Sequence, residues 1–458
     1  MLLKRASFVL AGSLLALSAF AQVKDWKQIS GDYYDWKKTM QPERPWLHDY
    51  SQTLVMKFFI AERDANGNLA HVYMRYDDAL EEIKKLDRIT LGVPKIVYLV
   101  GWQSTGHDSG FPAFSVMNEA LKRPGDKTAL ESWHWLCREA KKYHTSVSVH
   151  INMLDAYQNS PLWNTYLDNN IIIKDKQGIP VPGEVFGGLQ SYQVDYAQEW
   201  KLGYAVKRID GLLKMLPELK DASTIHIDAF HSIPWLIYKK DPNSHLVDPY
   251  LGTTEEEETI AQRKIYRYFR LNGIDATAEQ AMEDIRLDPF IGLEPFGWHF
   301  EDEGDSDRKV FNRLEWIGKP ADFDVYKLPP RLYVGTAMPA EQDIKNHPEN
   351  YELLIKAFCT RFVPWYYRNN AATEDKHELW QKTGDIFLPV LWQRHTILAF
   401  STEGYVSKKW KLPEKWQNRQ TVTVTTVSID ADKDVYTLPI MDGAIIVTLN
   451  ANQGVVIQ

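Results

Sequence analysis

Ile225-His226-Ile227-Asp228, then Glu257 to Leu271, then Gly273-Ile274-Asp275-Ala276-Thr277-Ala278-Glu279: this stretch decides the fold. The first run is apolar and ends on an acid. The middle has the length and spacing of a helix, and the last run ends on a second acid. The pattern predicts strand, helix and parallel strand, the repeating unit of a (β/α)8 TIM-type barrel. Residues at the C-terminal ends of barrel strands face one pocket, so Asp228 and Glu279 are expected to meet there. Two opposed carboxylates in one pocket suit the cleavage of a glycosidic bond. A chain with 61 acidic residues offers such pairs by chance, so the surroundings carry the weight.

Outward from this stretch the unit repeats. Leu54 to Phe59, Ile96 to Val100, Ser146 to Ile151 and Thr224 to Asp228 are predicted strands, and Ile96 to Val100 is nearly all apolar, as a strand buried on both faces is. Tyr76 to Lys85, Leu130 to Tyr143 and Tyr196 to Leu216 carry helical spacing. A long excursion, 152–195, is predicted to hold a hairpin or lid over the active face. Asp385 to Leu391 and Thr396 to Phe400 read as strands near barrel closure. From about Tyr405 the period changes to two, with Asp, Asn and Gly turns, which predicts a C-terminal antiparallel β-sandwich. The expected organisation is a secretion signal at 1–21, an aromatic and Pro-rich N-terminal strap at 22–50, the barrel at 51–400 and the β domain at 401–458.

Lys4 and Arg5, an apolar core from Ala6 to Ser18 and the cleavage site Ala19-Phe20-Ala21 are the parts of that signal. They place the mature chain outside the cytoplasm, secreted or periplasmic, with no membrane span. Only Cys137 and Cys359 are present, so no disulfide framework carries the fold. A net charge of −8 without a basic stripe argues against a nucleic-acid partner. Sixteen tryptophans offer faces on which sugar rings stack, or large core side chains.

Other chemistries lack their signatures. There is no His-Glu-x-x-His and no close histidine spacing for zinc, no Gly-rich phosphate loop and no Gly-x-Ser-x-Gly elbow. The expectation is therefore no cofactor and no catalytic metal, with structural calcium compatible with oxygen ligands in the N-terminal strap or the β domain.

The loop after the second strand, Gly101-Trp102-Gln103-Ser104-Thr105-Gly106-His107-Asp108-Ser109-Gly110, is placed for binding. Asp108 can accept from two vicinal hydroxyls, His107 can donate or accept, and Trp102 offers a stacking face or a core side chain. At the end of the third strand Asn152 is expected on the pocket rim, on the same side as His150. His226, two residues before Asp228, either orients that carboxylate or is a satisfied core histidine. Asp275 is an ion-pair or supporting residue, and Glu283, one helical turn beyond Glu279, competes with it as proton donor. Trp163 and Trp298 are further candidate platforms.

The motif from Gly101 to Gly110 resembles the Gly-aromatic-Gln-x-x-Gly-His-Asp-Ser-Gly motif of bacterial endo-α-N-acetylgalactosaminidases, glycoside hydrolase family 101. The resemblance covers roughly Leu54 to Phe400 and is most specific at His107-Asp108-Ser109. It implies a secreted (β/α)8 barrel with an attached β-sandwich that releases Gal-β1,3-GalNAc from Ser or Thr of O-glycans with retention. It also implies Asp228 as nucleophile, Glu279 as acid/base, and His107, Asp108 and Asn152 as sugar-binding groups. The chain departs from the family in a longer interval from Asp228 to Glu279, in Phe111-Pro112-Ala113-Phe114 after the motif, and in lacking the large flanking modules. A compact or divergent relative is expected. The alternatives are an exo-acting α-N-acetylgalactosaminidase or α-galactosidase, and a non-catalytic glycan-binding protein.

Overall fold

The computed structural model describes residues 47–48, 52–230, 244–278, 351–370, 385–416, 419–430 and 434–458. The signal at 1–21, most of the strap at 22–50, Glu279, Glu283 and Trp298 lie outside the described residues.

The first part of the chain alternates strand and helix: β1 (Leu54–Phe59), α1 (Tyr76–Ile89), β2 (Lys95–Val100), α2 (Ala129–Ala140) and β3 (Thr145–Asn152). An excursion follows, with the hairpin β4 (Pro182–Phe186) and β5 (Leu189–Gln193). Then come α3 (Tyr196–Lys201), α4 (Tyr204–Met215), β6 (Thr224–Asp228), α5 (Glu255–Leu271) and β7 (Asp275–Ala278). β1, β2, β3, β6 and β7 form one parallel sheet in chain order. Among the described residues this sheet has two edges, β1 and β7.

The two faces of the sheet differ in chemistry. Alternate residues Met56, Val97, Leu99, Val149, Ile151, Ile225 and Ile227 join the main core, which also takes in Ile83 and Leu86 of α1, Leu136 of α2 and Ile265 of α5. Burying that face against helices is the main drive for this half of the fold. The residues between them are polar: Tyr98, Ser148, His150, Thr224, His226 and Thr277. Four of them hydrogen-bond within the set. Tyr98 Oη lies 2.6 Å from Thr224 Oγ1, Ser148 donates to the Thr224 carbonyl, and Thr277 Oγ1 donates to Tyr98 Oη. This polar face leads up to the strand ends where Asp228 sits.

Local signals explain the helix starts. Thr128 accepts from the Glu131 amide ahead of α2, and Thr254 forms a reciprocal capping box with Glu257 ahead of α5. The run Glu255 to Glu258 is therefore an acidic helix start, except that Glu258 turns into the core.

The C-terminal part contains β8 (Asp385–Pro389), β9 (Ile397–Ser401), β10 (Tyr405–Lys411), β11 (Thr421–Thr426), β12 (Val435–Pro439), β13 (Ala444–Leu449) and β14 (Gln453–Ile457). Five of these make an antiparallel sheet in the order β8-β9-β14-β11-β12, and β10 pairs with β13. The two sheets share a second core that includes Trp410, Trp416, Val424, Val447 and Val455. One expectation is corrected here. Residues 385–401, read as strands near barrel closure, pair with the C-terminal strands instead. The reason is that β9 is buried on both sides: Ile397 and Ala399 join the second core, while Leu398 and Phe400 join the main one. A strand buried on both faces has the continuous apolar run of a parallel-sheet strand. The Cys137 and Cys359 thiols are separate and buried.

Candidate functional site

The site lies at the C-terminal ends of β2, β3 and β6. The chain leaves β2 through Gly101, whose φ of +85° and close approach to Ala61 only glycine allows, since a Cβ there would lie 2.2 Å from the Ala61 carbonyl oxygen. The loop is laced internally. Gln103 donates to the Ser109 carbonyl at 3.0 Å, Thr105 and Ser109 hydroxyls lie 2.6 Å apart, and the His107 amide donates to Ala61. Gln103 and Ser109 are thus struts. His107 and Asp108 are the motif residues left facing the opening.

Three side chains converge there. His150 Nε2 lies 3.5 Å from Asp228 Oδ2, His107 Nε2 lies 3.9 Å from the same oxygen, and His107 Nδ1 lies 3.2 Å from Asp108 Oδ2. Side-chain exposure is 3% for His150 but 26%, 15% and 14% for His107, Asp108 and Asp228, so the acids reach solvent while His150 backs them from beneath. His150 stacks on His226 at 5.3 Å, and His226 Nδ1 lies 3.0 Å from Thr277 Oγ1. His226 is thereby a buried support for the ring that touches Asp228.

Other expected residues land elsewhere. Asn152 is the register partner of Asp228, yet its amide is engaged: Nδ2 donates to Asp155 at 2.7 Å and Oδ1 accepts from the amides of Leu154 and Asp155. It shapes the turn after β3. Trp102 is fully buried and its indole N–H donates to the His150 carbonyl, so it is core and not a stacking face. Trp163 is half-buried and tilted against Tyr192 at 4.8 Å, beside the β4–β5 hairpin. Asp275 starts β7 at the opposite end of the sheet, paired with Arg270 and accepting from the Leu47 and His48 amides.

Two contributors carried no sequence signal. Arg63 donates to the Asp108 carbonyl at 2.6 Å and to the Phe186 carbonyl at 2.8 Å, tying the hairpin tip to the Asp108 turn. Tyr157 lies buried under the Arg63 guanidinium, 5.7 Å from it. His150 had a signal, since it alternates with Asn152.

His107, His150 and Asp228 each offer one ligand atom, all within 4.8 Å of one another. Two imidazoles and a carboxylate would suit a borderline ion such as zinc better than calcium, which prefers all-oxygen sets. The three come from three separate strand ends, so no sequence spacing announces them.

No helix among the described residues is long and apolar enough to cross a membrane.

A family model described as endo-alpha-N-acetylgalactosaminidase (glycoside hydrolase family 101) matches residues 67–255. The matched segment takes in His107, Asp108, His150 and Asp228 and ends before Glu279. No curated protein matches the chain. Among solved structures, an α-N-acetylgalactosaminidase from Bifidobacterium bifidum in complex with GalNAc aligns at 11% identity over 53% of this chain and 36% of that one, TM-score 0.39. An Anoxybacillus α-amylase aligns at 10% identity over 89% and 98%, TM-score 0.42. A Thermus thermophilus α-galactosidase in complex with stachyose aligns at 14% identity over 50% and 39%, TM-score 0.31. The chain thus spans about a third of the length of the bifidobacterial enzyme. Over residues 67–255 the chain is similar to the endo-α-N-acetylgalactosaminidase family.

Proposed function

We propose that this chain is a retaining glycoside hydrolase acting on α-linked N-acetylgalactosamine, with Gal-β1,3-GalNAc-α-Ser/Thr O-glycans as substrate. The observation that carries the reading is Asp228: a strand-end carboxylate, open to solvent, braced by two imidazoles and facing Asp108, inside the segment that matches the family. A parallel sheet in chain order, with helices on one face, supports five strands of a (β/α)8 barrel whose active face is this one. The amino-terminal signal pattern supports export.

In the proposed mechanism Asp228 attacks the anomeric carbon and forms a glycosyl ester. Glu279 protonates the leaving oxygen, then takes a proton from the water that cleaves the ester. Glu279 follows Ala278, the register partner of Ile227, which itself precedes Asp228. Retention requires the two carboxyl groups about 5 to 5.5 Å apart, against about 6.5 to 9.5 Å for inversion. His107 and His150 stabilise the carboxylate that leaves in the second step. Asp108 accepts from sugar hydroxyls and selects the galacto configuration, because the gluco epimer leaves one acceptor unmatched, at a cost of about 1 to 3 kcal/mol.

The test is product analysis on aryl α-GalNAc and aryl α-(Gal-β1,3-GalNAc). Release of the intact disaccharide is expected. Release of GalNAc alone makes the enzyme exo-acting, and release of galactose from aryl α-galactoside alone makes it an α-galactosidase. Binding without turnover of any of them makes the chain a glycan-binding protein.

A further inference from the structure

Two imidazole nitrogens face one oxygen of Asp228. His150 Nε2 lies 3.5 Å from Asp228 Oδ2, and His107 Nε2 lies 3.9 Å from it. Ordinary hydrogen bonds from nitrogen to oxygen run about 2.7 to 3.2 Å, and both spacings are wider. Two ligand atoms, each about 2.0 to 2.2 Å from a tetrahedral zinc ion, lie about 3.3 to 3.6 Å apart. All three ligand atoms fall within 4.8 Å of one another. His107, with 26% of its side chain exposed against 3% for His150, is the ring with room to adjust.

The surroundings of the two rings are those of metal ligands. His107 Nδ1 lies 3.2 Å from Asp108 Oδ2. A carboxylate at that nitrogen favours the tautomer with its proton on Nδ1 and its lone pair on Nε2. The lone pair is then on the side of the Asp228 carboxylate, and a cation between them matches both acceptors. His150 is fixed from below: its ring stacks on His226 at 5.3 Å, and its carbonyl accepts from the Trp102 indole at 2.8 Å. His107 and Asp228 reach solvent, so an ion arriving from outside meets them first. Two nitrogens and one carboxylate oxygen suit zinc, with a fourth position left for water.

We propose that His107, His150 and Asp228 bind a zinc ion reversibly, and that the bound ion inhibits the enzyme by occupying the oxygen with which Asp228 attacks the sugar. The inhibition rests on the glycosidase reading above, whereas the ion site rests on the geometry alone. Coordination takes a lone pair of Asp228 Oδ2 and puts a cation where the anomeric carbon must sit. Sugar and zinc therefore compete for one place. The ion is a regulator and not a cofactor: removing it restores activity, with no covalent change to the chain.

The experiment titrates zinc chloride into the chelator-treated full chain, with binding followed by calorimetry and cleavage of aryl α-GalNAc and aryl α-(Gal-β1,3-GalNAc) measured in parallel. One ion per chain is expected to bind. Zinc is expected to raise the apparent KM with kcat unchanged, and a chelator to restore the initial rate. Three variants, each checked for a cooperative thermal transition, place the ion. Asp108→Asn should weaken zinc binding about tenfold, through loss of the carboxylate behind His107, and His107→Ala about a hundredfold or more. His134→Ala breaks another histidine–carboxylate pair, with Glu218 at 2.6 Å on α2, and should leave zinc affinity and inhibition unchanged. No zinc binding, or equal affinity in the unchanged protein, Asp108→Asn and His107→Ala, overturns the ion site. Zinc held through these residues that leaves the rate unchanged, or raises it, overturns the inhibition. A chain that binds zinc through His107 but cleaves neither glycoside without it overturns the glycosidase reading, and the inhibition with it, while the ion site stands.

Discussion

Two acid clusters in this molecule behave in opposite ways. One is Asp228 with Asp108 and their histidines at the strand ends. The other is Asp195 with Glu258, where α3 meets α5. In the second, every oxygen is matched. Asp195 accepts from the Gln198 amide and the Thr253 hydroxyl, both at 2.7 Å, and Glu258 accepts from the amides of Tyr196 and Ala197. The two carboxyls also hydrogen-bond each other, and neither is exposed. In the first cluster the acids reach solvent and lean on imidazoles at 3.5 and 3.9 Å. Burial alone does not mark a functional acid. Exposure separates the two: the enclosed pair, with its oxygens engaged, holds helices together, and the pair that reaches solvent can meet a ligand.

The largest effect expected from this contrast is at Asp228. Asp228→Asn keeps the shape and removes the proposed nucleophile, so kcat should fall about a thousandfold or more while stability moves by less than about 1 kcal/mol. Parallel rate and thermal-melt measurements check it. A variant that loses stability but keeps its rate would place Asp228 with the structural pair and erase the distinction.

A smaller effect concerns pH and the other cluster. Burial, and then the charge of Asp195, push Glu258 well above the usual carboxyl range, and burial raises Asp195 as well. Burial also pushes nearby Asp248 up to about 6. The folded pair therefore holds a proton that the unfolded chain releases near pH 4. Its stabilising contribution is fully present below that pH and is lost as pH rises through the raised value. One proton sets a slope of at most about 1.4 kcal/mol per pH unit. Asp195→Asn supplies a permanent donor to Glu258 and can still cap the Gln198 amide. Its stability should fall less steeply than that of the unchanged protein between about pH 4 and pH 8. Denaturant melts across that range check the slope, and equal slopes would mean that the pair shares no proton.

Much of the parallel sheet was legible because its strands are short apolar runs bounded by turns. Leu54–Phe59 and Thr224–Asp228 fall where the apolar runs place them. β9 was legible as a strand, but not the sheet it joins, because a strand packed between two cores has no alternation to distinguish it from a parallel-sheet strand. In the site, the sequence pointed to Asp228, His107 and Asp108 through strand ends and a polar loop, and the structure brings them together. It could not reveal that the Asn152 amide is already engaged by Asp155, that Trp102 is turned into the core, or that Arg63 and Tyr157 arrive from separate loops. Periodicity reports which face a residue lies on. Which partner its polar atoms have already taken depends on contacts between distant segments, such as Arg63 with Asp108 and Phe186.

The central claim is that Asp228 forms a bond to the sugar. The most direct measurement is the mass of the Asp228-bearing peptide after reaction with a fluorinated, activated α-galactosaminide whose glycosyl ester breaks down slowly. The account predicts that this peptide gains the mass of one sugar residue and that the label maps to Asp228. Turnover with no label on that peptide, together with a product of inverted anomeric configuration, would contradict it.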